Sequence, residues 1–288
     1  MLELGIGADL LRGVGLLIWL VFGLALLAAL IKPKEITGKV LWSLLVIALF
    51  IGPMIPRAYE NYLFKQRYAK ATALFDERCK TAGEKIYRSV EAVDGVFLLT
   101  LKKESNRSAQ YELSEQAGDG AHGIGYIETF FMGKQNEFVL TDQNRLNAYR
   151  FVEVENEDKK TIKRYTDVRQ SPINESLSKF PLAQLITSKR DAKYGILTED
   201  ISTVGDRQNW IAASRMKVIN LASNEVLGER TGYMFDQALG NISGERTPWA
   251  FAAYNACPVF PKLHGQYPPQ WGLTRNFVEK VLKPKQGK

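Results

Sequence analysis

Hydrophobic positions along the chain fall into two regimes that meet near Arg57. Residues 13–31, GVGLLIWLVFGLALLAALI, form an unbroken run of 19 apolar or glycine residues. Residues 40–56, VLWSLLVIALFIGPMIP, add 17 more, with Ser43 as the one polar side chain. At a rise of ~1.5 Å per helical residue, each run covers roughly 25–29 Å, close to the thickness of a bilayer's hydrocarbon core. The connector, residues 32–39, carries Pro33 and Gly38 and is short enough to require a tight turn. This pattern predicts a two-helix transmembrane hairpin over residues 1–56, with spans at 13–31 and 40–56. A cleaved signal peptide fits less well, because Glu3 and Asp9 outnumber Arg12 where a positive start is expected. A buried soluble hairpin would need an apolar shell that the polar remainder does not supply.

From residue 57 the pattern changes. Phe64, Tyr68, Ala71, Phe75, Cys79, Ala82, Ile86 and Val90 recur at intervals of three and four, the stripe of one long helix reaching about residue 90. Its stripe is expected to pack on the domain's own sheet. Strands follow at 93–102, 148–154 and 161–168, the last two joined by a charged turn at 155–160. Residues 210–221 and 225–235 flank Asn224, which tolerates positive φ, and read as a hairpin. Residues 188–193 read as a connection, 258–269, with four prolines, as irregular, and 277–282 as a short final helix. The expected fold class is α+β: a membrane hairpin, then a long helix packed on an antiparallel sheet in a soluble domain over 57–288.

Composition narrows the chemistry. With two cysteines and two histidines in 288 residues, a disulfide-dense scaffold, a cysteine zinc cluster and histidine-based catalysis all lack material. The formal charge is +7, of which residues 1–56 contribute +1. Lys32, Lys34 and Lys39 concentrate positive charge in the connector, so the positive-inside rule puts it in the cytoplasm and both flanks outside. Arg57, Lys65, Arg67 and Lys70 pull the other way. In a bacterium this topology makes an inner-membrane protein with a periplasmic C-terminal domain. Its partners would be the lipid bilayer and another protein, met through basic groups such as Lys159, Lys160, Lys163 and Arg164, or Lys280, Lys283, Lys285 and Lys288. Nucleic acid is not an expected partner outside the cytoplasm.

Cys79 and Cys257 are the most informative pair. Read as structure, they form a disulfide that ties the long helix to the C-terminal segment, worth about 4–5 kcal/mol of loop-closure entropy in an oxidising compartment. Two free core thiols, or a nucleophile still lacking a base, are the other readings. Residues 118–123 formally match G-x-G-x-x-G, but no strand leads into them, and His122 there reads as a loop residue, as does His264. Ser176–Lys179 and Ser214–Lys217 match S-x-x-K, yet neither S-D-N nor K-T-G accompanies them. Ser214 and Lys217 would also lie on opposite faces of a strand. Glu199, Asp200, Asp206 and Arg207 are polar but ordinary. No cofactor motif, metal-ligand set or catalytic residue emerges, which favours recognition over catalysis. Asn-X-Ser triplets at Asn106, Asn174 and Asn241 matter only on a eukaryotic secretory route.

The strings FDERCKTAGEKIYRSVEAVDGVFLL (75–99), YGILTEDISTVGDRQNWIAASRMKVINLASNEVLGERTGYMFD (194–236), NACP (255–258) and FVEKVLKP (277–284) resemble a family of proteobacterial inner-membrane proteins with an exported C-terminal domain. Such proteins are similar to accessory or immunity products made beside secreted antibacterial toxins. The resemblance implies an anchored binding domain that masks a toxin, and brings no catalytic motif. A structural subunit of an envelope complex, or an envelope enzyme with an unfamiliar site, are the competing expectations.

Overall fold

The structure is a computed structural model and describes residues 5–101, 123–131, 148–167, 182–258 and 270–285. The chain divides into two compact units, 1–67 and 68–288.

In the first unit, α1 (Gly5–Ile31) and α2 (Ile36–Ile51) are joined by the exposed Lys32 and Lys34, with the half-buried Lys39 in the first turn of α2. Phe22 of α1 meets Phe50 of α2 with ring centroids 5.3 Å apart. Residues Gly13–Ile31 are long and apolar enough to cross a membrane, and 6% of this stretch is buried within the protein. Leu16, Leu17, Trp19 and Leu20 are all more than half exposed, as are Ile36, Leu41 and Leu49 of α2. An outward-facing apolar surface of this extent is the kind that marks contact with a membrane or another protein. The second run is not one straight span. α2 ends at Ile51 and α3 (Met54–Cys79) starts beyond Gly52-Pro53, the two helices meeting at 48°. Pro53 lacks the N–H for the helical ladder, and its ring crowds the carbonyl four residues back, so the break falls there.

In the second unit, strands β1 (Gly83–Ile86), β2 (Val90–Val93) and β3 (Gly95–Leu98) follow the end of α3. Then come α4 (Gly123–Thr129), β4 (Phe151–Glu155), β5 (Ile162–Asp167), β6 (Leu182–Thr187) and β7 (Tyr194–Asp200). α5 (Val204–Gln208), β8 (Ile211–Asn220), β9 (Val226–Phe235), α6 (Pro248–Ala252), β10 (Ala256–Cys257), α7 (Gln270–Val281) and β11 (Leu282–Pro284) complete the order. The main sheet runs β1-β9-β8-β7-β3-β4-β5-β6, with β10 also on β9, and β2 pairs separately with β11. The domain is mixed α/β.

Three sequence expectations need correction. The long helix stops at Cys79, because Gly83 adopts φ +144, which only glycine takes without strain, and turns the chain into β1. Ile86, expected on the helical stripe, is 44% exposed in that strand. The sheet is mixed and not antiparallel, since β3 lies parallel to both β4 and β7. The expected strand at 93–102 is split at Asp94, with β2 leaving the main sheet for β11. The hairpin β8–β9 forms as the pattern indicates, with Asn224 at φ +56, and so does the β4–β5 pair.

The core sits on one face of the sheet. Val96, Leu98, Val152, Ile196, Met216 and Val218 pack there against Tyr126 and Ile127 of α4 and Phe277, Val278 and Val281 of α7. α7 approaches so closely that a Cβ at Gly228 would lie 2.7 Å from Val281. On the opposite face, Ala71 and Phe75 of α3 cover Ile211, Phe235 and Cys257. There Cys79 and Cys257 are joined by a disulfide, their Cα atoms 5.6 Å apart and 178 positions distant in sequence.

Candidate functional site

The α3 cover runs out at Cys79, and beyond it the sheet's second face is polar. Register places Thr231, Arg215 and Glu199 in one row across β9, β8 and β7, with Gly83 of β1 opposite Thr231. The next row holds Lys85, Glu229, Lys217 and Leu197. Side chains on a strand alternate faces, so these residues share one surface. Lys217 binds Glu199 at 2.9 Å, while Arg215 and Glu229 are held loosely at 3.7 Å.

Thr81–Lys85, Arg215, Glu229, Thr231 and Tyr233 line a cleft of about 240 Å³ on this surface. Its wall is fixed by hydroxyls. Thr81 donates to the Arg78 carbonyl at 2.8 Å, which leaves Tyr233 to donate to Thr81 Oγ1 at 3.2 Å. The floor is open at Gly83, where a Cβ would meet nothing within 4 Å. Arg215 Nε is buried without a hydrogen-bond partner. Among the described residues Lys85 has no ion pair and the Thr231 hydroxyl no hydrogen bond.

The polar residues singled out in sequence serve structure instead. Asp206 closes a capping box with Thr203 on α5 and accepts from Arg78 Nε at 2.9 Å, docking the end of α3. Burial opposes its ionisation, but the Thr203 amide and hydroxyl and the Arg78 guanidinium outweigh that, holding its pKa below the ordinary carboxylate value. Burial likewise opposes Asp200, and hydrogen bonds from Ser202 with Arg207 beside it depress its pKa. Arg207 also lies over the Trp249 ring at 5.1 Å. Ser214 is buried and Lys217 is on the opposite, polar face, so the S-x-x-K spacing brings nothing together. Arg164 is absorbed by Glu153 and Asp191 at 2.6 and 2.7 Å. Lys280 and Lys283 pair with Glu84 and Glu91, both at 2.6 Å. Asn241 sits in a turn, its side chain accepting from the Ser243 amide. His122, His264, Asn106, Asn174, Ser176, Lys179, Lys288 and most of the glycine-rich stretch lie outside the described residues.

Among the described residues no three His, Cys, Asp or Glu side chains come together as a metal-binding group. The sequence reading missed the cleft because it placed Lys85 on a helix; Gly83, four residues beyond Cys79, was the signal that the helix had ended. A mixed α/β domain with a polar cleft on its sheet, preceded by a membrane-length apolar helix, is the class that fold and site define. No family model, curated protein or solved structure matches the chain.

Proposed function

We propose that the protein is a membrane-anchored recognition protein of a bacterial inner membrane, acting without catalysis. α1 and the α2 segment serve as a transmembrane hairpin, with Lys32, Lys34 and Lys39 on the cytoplasmic side and the C-terminal domain in the periplasm. The partner is a protein, in the immunity reading a secreted antibacterial toxin that the domain masks. The Cys79–Cys257 disulfide supports an oxidising location, where such bonds persist.

The observation that carries recognition is an exposed aromatic surface around α6. Phe251 and Tyr254 are 50% and 62% exposed, Ile242 is 58% exposed, and the Arg246 guanidinium stacks 4.7 Å from the Phe251 ring. Arg246 is fixed there by Asp236, so the patch is held rigid. Aromatic side chains with an ordered arginine are the residues that dominate binding energy at protein interfaces.

The test is affinity capture with the full chain from native envelopes, comparing wild type with Phe251→Ala and Tyr254→Ala. Loss of an anchor of this kind costs about 2 kcal/mol or more, some thirtyfold in affinity. A partner captured equally by both variants would refute the patch as its site. A periplasm-only reporter fused after Lys288 is expected to be active; activity of a cytoplasm-only reporter there would overturn the topology.

A further inference from the structure

The cleft between β1, β9 and β8 is one charge short. On this face of the strands Lys85, Arg215 and Lys217 stand against Glu229 and Glu199, three cations to two carboxylates, while Glu84, which also lines the cleft, is committed to Lys280 at 2.6 Å. Glu199 is committed to Lys217 at 2.9 Å. Glu229 lies too far from Arg215, at 3.7 Å, for a hydrogen bond, and in register it is shared with Lys85 on its other side. Arg215 Nε is therefore left buried and unbonded. The Arg215 side chain is 38% exposed, but its Nε is shut off from solvent, and a buried donor without a partner is costly and calls for an explanation, of which an ion that completes it is one. The missing charge maps to one place: above Gly83 and Thr231, where there is neither a side chain on the glycine nor a bond to the hydroxyl.

We propose that this cleft binds a singly charged oxyanion, seated over Gly83 and held by Arg215, Lys85 and the Thr231 hydroxyl. At about 240 Å³ the cleft is smaller than the 300–1,000 Å³ of drug-sized pockets, so it takes one charged end of a larger molecule. A carboxylate and a phosphodiester share the required chemistry: one negative charge and oxygens that accept from a guanidinium. The Tyr233–Thr81 pair, with its protons already committed, forms a wall and leaves specificity to the cationic side. The site is separate from the aromatic surface at α6 and stands or falls independently of it.

Full-length protein in detergent micelles, labelled for amide NMR, is titrated separately with acetate and with dimethyl phosphate. Saturable shifts are expected at the amides of Thr81, Gly83, Lys85 and Thr231. Lys85→Gln and Thr231→Val are each expected to weaken binding about tenfold, and Arg215→Gln to abolish it. Saturation by acetate alone identifies a carboxylate ligand, and saturation by dimethyl phosphate alone a phosphodiester such as a lipid headgroup. Lys85 is exposed, so its substitution reads out binding even where Arg215→Gln perturbs the fold. Failure of both probes to saturate, or equal affinity in wild type and Lys85→Gln, overturns the proposal.

Discussion

Glu153 is fully buried at the middle of β4, yet it accepts from Arg164 Nε and Nη2 at 2.9 and 2.6 Å and from the Ala192 amide at 2.9 Å. A charge taken from water at this depth survives because every lone-pair direction has a donor, and removing one partner strands the other. Glu153→Ala is expected to destabilise the domain by about 3–5 kcal/mol, read from the midpoint of urea unfolding. Asp206 makes a pH-dependent version of the same contribution. Its folded pKa is depressed, so its stabilisation is present above the ordinary carboxylate pKa of about 4 and is lost as pH falls through the lower folded value. Asp200 adds to that window in the same direction. Asp206→Asn is expected to flatten the loss of stability below about pH 4; an unchanged slope would assign the acid sensitivity elsewhere.

Among elements, α3 shows where sequence pattern is informative and where it stops. Its apolar stripe identifies Ala71 and Phe75 as buried, because 3.6-residue periodicity follows directly from which side of a helix meets the sheet. Its end was not legible from the stripe, since Ala82, Ile86 and Val90 continue the spacing by coincidence while Gly83, at φ +144, turns the chain out of the helix. The hairpin β8–β9 was legible because local turn chemistry at Asn224 and local pairing coincide. The parallel neighbours of β3 were not, because β4 and β7 reach it across long intervals and no local signal records who will pair. The cleft belongs to that second category: Lys85, Arg215 and Tyr233 become neighbours only through register. At this scale the disulfide fastens α3 to β10. Replacing both Cys79 and Cys257 by serine is expected to cost about 2–5 kcal/mol, seen as a lower melting temperature that reductant no longer changes. A wild-type melting temperature indifferent to reductant would mean the bond contributes little.

For the whole molecule, one chain joins two kinds of surface: α1, long and apolar enough to cross a membrane, turns Leu16, Leu17 and Leu20 outward, while the mixed domain buries its apolar side chains in its own core. The domain itself is closed by residues made far apart in time. β11 lies parallel to β2, Lys285 donates its amide to the Val93 carbonyl at 3.0 Å, and the Tyr149 hydroxyl donates to the Leu282 carbonyl. Lys283 reaches back to Glu91 across 192 positions. At about 5–20 residues per second of synthesis, β2 waits roughly 10–40 s for the strand that completes it. During that interval Val90–Val93 presents an unpaired edge, the kind of surface that recruits wrong partners. Pairing of β2 therefore waits on synthesis of β11, and the pace of translation becomes part of how the fold is reached.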